Sequence, residues 1–568
     1  MDIRQRIRVY ALENAHKFKG RANPGALVGR ILAQEPSWRS KTKELSEMIE
    51  TIVSEVNRLS PKEQQAQLKK LGSLSSSTPK SAQKKGLKDL DDVNKDKGVV
   101  MRFAPSPSGP MHIGHAMTGG ITSLYVRRYG GTYILRIEDT NSDNIYEPAY
   151  TLLPEDADWL FGNVSEVWIQ SDRLKIYYSY IEKLIKKGFA YVCCCDPDQF
   201  RERVAQKKEC SCRVNSIEEN QVRWKKMLNK ASGYSAGQAV LRFKSDMKHK
   251  NPAMRDFPLA RINDSPHPRQ GTKYRVWPLM NLSVFVDDVE AGMTHIIRGK
   301  DHADNAKRQE MMYKALDLPI PRCYFQGRIH FEGIEVSCSK TRQKIERGIY
   351  NGWDDIRLPF IKALRRRGYQ PGAFLRFAEE VGLSQNDKKV DAEEFFKSIN
   401  SFNKDIIEPQ AKRFFFIRDP KEIIVTGSPH RKVELDLHPE HKKGGRLFNT
   451  TGCFLIEHQD YESISEGEVF RLMDCLNVMR TKQDVFEYTT GGYEEFKNLG
   501  KKIIHWLAYD STLKDTEIFM PDGTILLGKS ESNIAMLKLG EVIQFERFGF
   551  CRLDEIDKGI YRFWFAHR

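Results

Sequence analysis

Residues 99–115 read VVMRFAPSPSGPMHIGH, and this stretch decides the fold. The apolar run Val99 to Phe103 is typical of a buried strand, and a helix-like segment follows the loop after it. The first turn of a helix offers free N–H groups and a positive dipole end, so it favours an anion. His112 and His115 stand at this entrance, and Gly114 between them leaves room for a nucleotide. The stretch therefore predicts a phosphate site and ATP chemistry.

A second strand-like run, residues 132–137 (TYILRI), follows the helix and leads directly into Glu138. The two strands and the helix between them predict a β-α-β unit. Ligands of such units bind beyond the carboxyl ends of the strands, where both His112 and Glu138 fall. A motif of this kind has weight only in its strand-loop-helix context, and that context is present here.

Further motifs extend the pattern: LRIEDTN at 135–141, VDDVEAGMTHIIRGKDH at 286–302, SCSKT at 337–341 and GWDDIRLPFIKALRRRGY at 352–369. Together with MRFAPSPSGPMHIGH at 101–115, they resemble the class I aminoacyl-tRNA synthetases of the glutamyl and glutaminyl branch, and in layout the archaeal glutamyl type. The resemblance implies a Rossmann-like nucleotide-binding catalytic domain in a multidomain chain of α/β and β parts. It also implies ATP-dependent attachment of L-glutamate to tRNA(Glu) through a glutamyl-adenylate intermediate.

The resemblance assigns roles at the predicted phosphate site. The HIGH signature of the class matches residues 112–115, and the class motif KMSKS matches residues 337–341 with only its second lysine, Lys340, retained. Alone, Lys340 would be an ordinary lysine in a polar loop. The catalytic residues implied are His112, His115 and Lys340. The ATP-binding residues implied are Pro105, His112, Gly114, His115, Ser339 and Lys340. The family uses ATP together with Mg²⁺.

The amino-acid pocket follows from charge and resemblance together. An arginine guanidinium matches a carboxylate in two parallel hydrogen bonds, which suits the side chain of glutamate. The resemblance implies the amino-acid-binding residues Arg102, Ala104, Ser106, Glu138 and Arg298. Glutaminyl enzymes place a smaller uncharged residue at the position of Arg298, so Arg298 favours glutamate; the alternative is a surface arginine. Met280 and Asn281 replace the Tyr-Asp of close relatives, and we expect Met280 to form pocket wall only.

Four cysteines form two closely spaced pairs, Cys193 with Cys195 and Cys210 with Cys212. Such pairs can bring four thiolates to one tetrahedral zinc ion, and related glutamyl enzymes often hold zinc here. Because no secretory signal is present, metal ligation is favoured over disulfides. The alternative is a set of small buried residues. We expect a structural Zn²⁺, since four thiolates leave no open position for water.

The composition of the chain bounds its class. The 568 residues are 40% apolar and 29% charged, which is enough for several domains with cores. A formal net charge of +15 favours a polyanionic partner such as tRNA, although an ordinary basic protein would look the same. We find no apolar run of about eighteen residues and no apolar secretory core at the amino terminus. We therefore expect a cytoplasmic monomer without a membrane span.

Composition also predicts the domain order. Apolar residues recur at helical spacing before residue 72, residues 73–98 are rich in Ser, Lys and Asp, and short strands separated by turns follow residue 414. The predicted domains are a helical extension (1–72), a linker (73–98), the first half of the catalytic domain (99–192), an insertion that grips the tRNA acceptor end (193–270), the second half (271–330), the KMSKS-like loop with a helical connecting domain (331–413) and anticodon-binding β-barrels (414–568).

Three other functions remain as alternatives. The nearest is a glutaminyl-tRNA synthetase, which Arg298 opposes. A small-molecule nucleotidyltransferase would share the His-x-Gly-His site but needs no carboxyl-terminal barrels. A non-catalytic tRNA-binding protein would share the barrels but has no reason to keep His112, Lys340 and Glu138 together. Nothing in these residues decides whether tRNA(Gln) is also charged; we favour charging of both tRNAs, as many archaeal enzymes do.

Overall fold

The computed structural model of the chain describes residues 3–17, 20–25, 27–28, 31, 38, 41–71, 86–510 and 512–568. The chain separates into two compact units, Met1–Lys85 and Gly86–Arg568. The predicted linker is divided between them: residues 73–85 lie outside the described residues, whereas Leu87 and Leu90 are buried in the core of the second unit. Among the described residues, no helix has the length and apolarity needed to cross a membrane.

The first unit is helical. Its described helices are α1 (Ile3–Lys17), α2 (Thr42–Asn57) and α3 (Pro61–Leu71). The buried face of α2 consists of Leu45, Ile49, Ile52, Val53 and Val56, at the three- and four-residue steps seen in the sequence. These side chains pack with residues of α1 such as Tyr10 and Leu12 in a small apolar core.

The second unit opens with β1 (Val99–Phe103), α4 (Ile113–Tyr129), β2 (Gly131–Ile137), α5 (Ala149–Phe161) and β3 (Glu166–Ile169). β1 pairs with β2 and β2 with β3, in both cases in parallel. The predicted β-α-β unit is therefore confirmed. Both faces of the sheet are covered, which explains why the buried part of β2, Tyr133 to Ile137, is an apolar run interrupted only by Arg136.

An antiparallel sheet follows. Its elements are α6 (Leu174–Lys186), β4 (Ala190–Cys193), α7 (Pro197–Ala205), α8 (Ile217–Leu228), β5 (Val240–Phe243), β6 (Pro258–Ile262) and β7 (Val276–Pro278). The strands lie in the order β4-β5-β6-β7, and each pairs with the next in antiparallel register. This sheet starts before residue 193 and ends after residue 270, so it extends beyond both predicted bounds of the insertion.

The chain then returns to the parallel layer through α9 (Met280–Glu290), β8 (His295–Gly299), α10 (Ala303–Ala315) and β9 (Arg322–Gln326). β8 pairs in parallel with β9. The backbone of Thr294, just before β8, donates to the Val100 carbonyl and brings β8 beside β1. The resulting strand order is β9-β8-β1-β2-β3. Successive strands are added on one side of β1 first and later on the other, so the order reverses between β1 and β8. A ligand crevice is expected at such a switch point, outside the carboxyl ends of the strands.

A mostly helical segment connects this layer to the carboxyl-terminal part. It comprises β10 (Ile329–Glu332), α11 (Cys338–Glu346), α12 (Ile361–Arg367), α13 (Pro371–Val381), β11 (Lys388–Asp391) and α14 (Ala392–Ile407). α13 packs directly on α4, and the buried residues Phe374, Phe377 and Phe395 join the core of the parallel sheet. The helix that begins at the His motif is thus held from both sides.

The remaining elements are β12 (Arg413–Phe414), β13 (Phe416–Arg418), β14 (Pro420–Thr426), β15 (Arg431–His438), β16 (His441–Thr450), β17 (Cys453–Glu457), α15 (His458–Ser463), β18 (Val469–Leu472), β19 (Asn477–Lys482), β20 (Val485–Thr490), α16 (Tyr493–Leu499), β21 (Gly500–Ile504), β22 (Leu507–Ala508), β23 (Lys514–Phe519), β24 (Ile525–Ser530), β25 (Val542–Phe545), β26 (Gly549–Asp557) and β27 (Ile560–His567).

These strands form two seven-stranded sheets, in the orders β12-β25-β26-β27-β23-β24-β13 and β21-β18-β19-β20-β14-β17-β22. In each sheet the two edge strands are neighbours in sequence, so the sheet curls back on itself as a barrel does. The hairpin β15–β16 stands beside them as a separate ribbon. The β-barrel character predicted from short strands and turns is confirmed.

Candidate active site

A cavity of about 170 Å³ opens at the switch point between β1 and β8. Its lining is Arg102, Phe103, Ala104, Thr118, Thr122, Glu138, Met280, Val284, Ile297, Arg298, Gly299 and His302. Arg102, Ala104, Glu138 and Arg298 are four of the five residues predicted to bind the amino acid. The fifth, Ser106, is exposed in the loop after β1 and lies outside the lining.

A buried ion network lies beneath this cavity. Arg136, fully buried in β2, donates from Nη1 to Oδ1 of Asp288 at 2.6 Å and from Nη2 to Oε1 of Glu138 at 3.1 Å. Asp288, on α9, also lies 3.6 Å from Nε of Arg102. Arg102 in turn donates from Nη1 to the Ile297 carbonyl at 3.3 Å. One buried pair therefore orients two charged groups of the cavity, Glu138 and Arg102.

Burial and neighbouring charge set the ionisation of this network. Burial lowers the pKa of Arg102 to about 10, so its guanidinium stays charged at neutral pH. Burial also opposes the charge of Arg136, but Asp288 and Glu138 raise the pKa of this residue above its ordinary value. Burial works against ionised Asp288 as well, but Arg136, Arg102 and Arg298 together outweigh it, so the pKa of Asp288 is lowered. The pair is thus a full ion pair.

Asp287, the neighbour of Asp288, lies 3.9 Å from Nε of Arg136, but its hydrogen-bond partners are different. Its carboxylate accepts hydrogen bonds from Nε of Arg173 at 2.7 Å, from the Tyr177 hydroxyl at 2.9 Å and from Nε2 of Gln170 at 3.0 Å. These groups belong to α6 and the turn before it. The hydrogen bonds of Asp287 therefore fix α9 to α6, whereas that of Asp288 holds Arg136 beneath the cavity.

Arg298, at the end of β8, has a neutral partner. Its Nη1 donates to Oε1 of Gln309, on α10, at 2.8 Å. Within the described part of the chain, no carboxylate lies at ion-pair distance from Arg298. The positive charge of Arg298 is therefore directed into the cavity without being neutralised by the protein.

His112 and His115 form a stacked pair at the entrance of α4, with ring centroids 3.8 Å apart. The Gly114 N–H donates to Nδ1 of His112 at 3.1 Å, and the His112 N–H donates to Nδ1 of His115 at 3.4 Å. Since each Nδ1 accepts, the proton of each neutral ring is on Nε2. A Cβ at Gly114 would lie 2.9 Å from Cε1 of His112, so this cap requires glycine.

Both imidazoles are neutral at physiological pH. Burial lowers the pKa of His115 to about 4, and burial together with His115 lowers the pKa of His112 well below its ordinary value. The pair therefore offers uncharged Nε2–H donors. The two Nδ1 atoms also accept from the N–H groups of His112 and Gly114, which the sequence analysis expected to be available to an anion. A phosphate placed here would therefore meet imidazole donors rather than a bare helix terminus.

Three sequence motifs meet at Gly109, in the loop before the histidines. A Cβ there would lie 3.0 Å from Cβ of Cys338 in the KMSKS-like segment and 3.2 Å from Cη2 of Trp353 in the GWDDIRLP segment. Buried Asp156, on α5, accepts from the Met111 N–H at 2.8 Å, next to His112. The signature loops are thus in contact, and the histidine loop has its own buried support.

Lys340 does not reach the histidines in this structure. It lies in the first turn of α11, its side chain is 70% exposed, and Nζ is 3.5 Å from Oε1 of Glu335. Ser337 caps the helix by accepting from the Lys340 N–H. Ser339 is exposed beside it. Of the predicted ATP residues, Pro105 accepts from the Glu138 N–H at 3.1 Å and so joins the ends of β1 and β2.

Three of the four predicted metal ligands, Cys193, Cys195 and Cys210, have Sγ atoms within 4.8 Å of one another, and Cys212 joins them through Cys195. Sγ of Cys193 lies 4.0 Å from Sγ of Cys210, and Sγ of Cys195 lies 3.8 Å from Sγ of Cys212. With Zn–S bonds of about 2.3 Å, ligands of a tetrahedral site stand about 3.8 Å apart, so the spacing fits zinc. The hydrogen bond between the two thiols lowers the pKa of Cys210 to about 5 and raises the pKa of Cys193, so this pair shares one proton. All four cysteines are free of disulfides.

Comparison with known proteins decides the family. Residues 98–409 match the model of the catalytic domain of tRNA synthetases class I (E and Q), and residues 411–492 and 503–554 match the two models of their anti-codon binding domain. The chain belongs to the class I tRNA synthetases of the E and Q branch. The resemblance inferred from the HIGH-like and KMSKS-like motifs is thereby confirmed.

Relatives of this synthetase are similar over their full length. The glutamate--tRNA ligase of Methanobrevibacter smithii and that of Methanocaldococcus jannaschii are each 42% identical over 570 residues, with all of both chains covered. That of Methanothermobacter thermautotrophicus is 41% identical over 561 residues, 98% of both chains. The predicted archaeal type agrees with these matches.

Several residues at the site of the synthetase escaped the sequence analysis. Arg136, Asp288 and Gln309 were not singled out, although each is buried and is hydrogen-bonded or ion-paired to a residue that lines the cavity. The available signal was a charge inside an apolar run: Arg136 interrupts TYILRI, and Asp288 ends LSVFVDD. A buried charge of this kind requires a partner, but the sequence does not say which.

Proposed function

We propose that the chain attaches L-glutamate to tRNA(Glu) at the expense of ATP. The observation that supports this most is the charge of the cavity, whose lining carries two guanidiniums, Arg102 and Arg298, and one carboxylate, Glu138. Free glutamate carries two carboxylates and one ammonium group, so the charges of ligand and lining are complementary. Glutamine has one carboxylate fewer and would leave one guanidinium without an anionic partner.

The reaction has two steps in this proposal. An oxygen of the glutamate α-carboxylate attacks the α-phosphorus of ATP in line, the bond to the bridging oxygen breaks, and pyrophosphate leaves. A ribose hydroxyl of the terminal adenosine of tRNA then attacks the carbonyl carbon of the mixed anhydride, the bond from that carbon to the phosphate oxygen breaks, and AMP leaves with the hydroxyl proton on its phosphate. Neither step requires a protein nucleophile. Positioning of the reactants and stabilisation of phosphate charge supply most of the acceleration.

His112 and His115 would donate through Nε2–H to phosphate oxygens as charge builds on them. Lys340 would neutralise charge on the leaving pyrophosphate, for which it must turn away from Glu335. An exposed ion pair of this kind is worth about 0–1 kcal/mol, so the turn costs little. Mg²⁺ bound to ATP offsets phosphate charge; within the described residues, no group of metal ligands lies at the histidine pair, so we assign the ion to the nucleotide.

The tRNA partner is inferred from the carboxyl-terminal domains and the net charge of +15. A basic chain gains affinity for a polyanion through counterion release. We further propose that tRNA(Gln) is charged with glutamate as well. Finally, we propose that Cys193, Cys195, Cys210 and Cys212 hold a structural zinc ion. The ion would fix the end of β4 to the 3₁₀ turn Ser211–Val214, which follows α7.

The phosphate site can be tested by two substitutions. His115→Ala or Lys340→Ala should lower the rate of amino-acid activation by about a hundredfold, because loss of one transition-state contact costs a few kcal/mol. Binding of tRNA, measured by filter retention, should stay near the wild-type value. Lys344→Ala is a matched control, since Lys344 also pairs with Glu335 but lies a turn further along α11. Wild-type turnover in either test variant would refute the assigned roles.

The zinc proposal predicts about one zinc ion per chain, measured by elemental analysis of protein purified without chelator. The double variant Cys193→Ser/Cys212→Ser should lose the ion, because half of the thiolates are removed. Cys194→Ser should retain it, since Cys194 is outside the proposed ligand set. Absence of zinc from the wild-type protein would contradict the proposal.

Substrate choice can be tested by charging purified tRNA(Glu) and tRNA(Gln) transcripts with labelled glutamate and labelled glutamine. Glutamate should be attached to both, and glutamine should be a poor substrate, because an unpaired charge in the cavity costs several kcal/mol. Stable attachment of glutamine would overturn the role of Arg298. Rejection of tRNA(Gln) alone would overturn only the proposal that both tRNAs are charged.

A further inference from the structure

The two guanidiniums of the cavity differ in the charge of the group that holds them. Arg102 lies 3.6 Å from the carboxylate of Asp288, so part of its charge is offset by the protein. Arg298 is held instead by the side-chain amide oxygen of Gln309, which accepts from Nη1 at 2.8 Å. Gln309 is 4% exposed and does not itself line the cavity. Whatever it does to the ligand, it does through Arg298.

The distinction has a physical consequence. An amide oxygen fixes the direction of a guanidinium without cancelling its charge, whereas a carboxylate at the same position would form an ion pair with it. In a partly desolvated cavity this difference is large, because Coulomb interactions strengthen as the effective dielectric falls. The positive charge of Arg298 is felt by its neighbours: it is one of the groups that lower the pKa of Arg102, after burial and Arg136.

The surroundings of Gln309 on α10 are consistent with this role. Nε2 of Gln309 has no hydrogen-bond partner among the described residues, although the side chain is buried. The side-chain hydrogen bond that Gln309 does make is therefore the one with Arg298. An apolar residue would fill this space without burying an unpaired amide N–H. Packing alone therefore does not explain a glutamine at this position.

We propose that Gln309 is a positioning residue that sets substrate specificity: by holding Arg298 with a neutral acceptor, it keeps the cavity selective for an anionic side chain over the corresponding amide. This inference rests on the proposed function and deepens it. Exchange of the neutral acceptor for an anionic one would make the protein itself supply the negative charge that glutamate otherwise brings.

The test uses the full chain with purified tRNA(Glu). In Gln309→Glu, the KM for glutamate should rise about tenfold or more, and the ratio of kcat/KM for glutamate to that for glutamine should fall by a similar factor. The KM for ATP should remain near the wild-type value. Gln309→Met is the matched control: it keeps the size and neutrality of the side chain but not the acceptor, so the KM for glutamate should rise by a smaller factor.

Thermal unfolding of both variants shows whether they fold. An unchanged KM and substrate ratio in folded Gln309→Glu overturns the inference, and so does an equal loss toward glutamate and ATP, which would indicate a structural role alone. If Gln309→Glu does not fold, an unchanged KM for glutamate in Gln309→Met overturns it. Failure of the wild-type chain to attach glutamate at all would instead sink the proposed function first, so the two failures can be told apart.

Discussion

The buried pair between Arg136 and Asp288 is the interaction on which the site depends. Two ions removed from water are not in themselves stabilising, because their desolvation can exceed their attraction, whereas loss of one partner costs about 3–5 kcal/mol. The pair is kept where its geometry matters, with Arg136 bonded to Glu138 and Asp288 beside Arg102. It links β1, β2 and α9, and so fixes the recognition groups from different elements relative to one another.

The two halves of the site handle anions in different ways. The amino-acid cavity uses permanent positive charge, with Arg298 left unneutralised by its glutamine partner. The proposed nucleotide side would use His112 and His115, whose low pKa values keep them uncharged at neutral pH. The charge of a polyphosphate must be stabilised as it shifts during the reaction, yet the pyrophosphate product must still be released. Neutral Nε2–H donors suit both requirements. The close contact at Gly109 keeps the two signature loops together, while the Lys340 side chain is exposed and, among the described residues, paired only with Glu335.

The elements of this protein that follow local rules can be predicted from its sequence. β1 matches its predicted range, because it is a run of strand-forming residues bounded by turn residues. Cys193, Cys195 and Cys210, which come from both predicted pairs, lie close together. The bonds between Arg136 and Asp288 could not be predicted in this way. Their positions are 152 residues apart, and only the chain's return to the parallel layer after the insertion brings them together. Gln309 gave no signal, since a lone glutamine on a helix is most often solvent-exposed.

The most direct test of this account compares Asp288→Asn with Asp287→Asn in tRNA-dependent ATP–pyrophosphate exchange. Both substitutions remove one buried carboxylate from α9. Only Asp288 is hydrogen-bonded to Arg136 and lies beside Arg102, whereas Asp287 stays 3.9 Å from Nε of Arg136 and bonds Arg173 and Tyr177. The account predicts that Asp288→Asn raises the KM for glutamate about tenfold or more with little change in the KM for ATP, and that Asp287→Asn lowers thermal stability without this effect. A glutamate KM in folded Asp288→Asn equal to that of Asp287→Asn would contradict it.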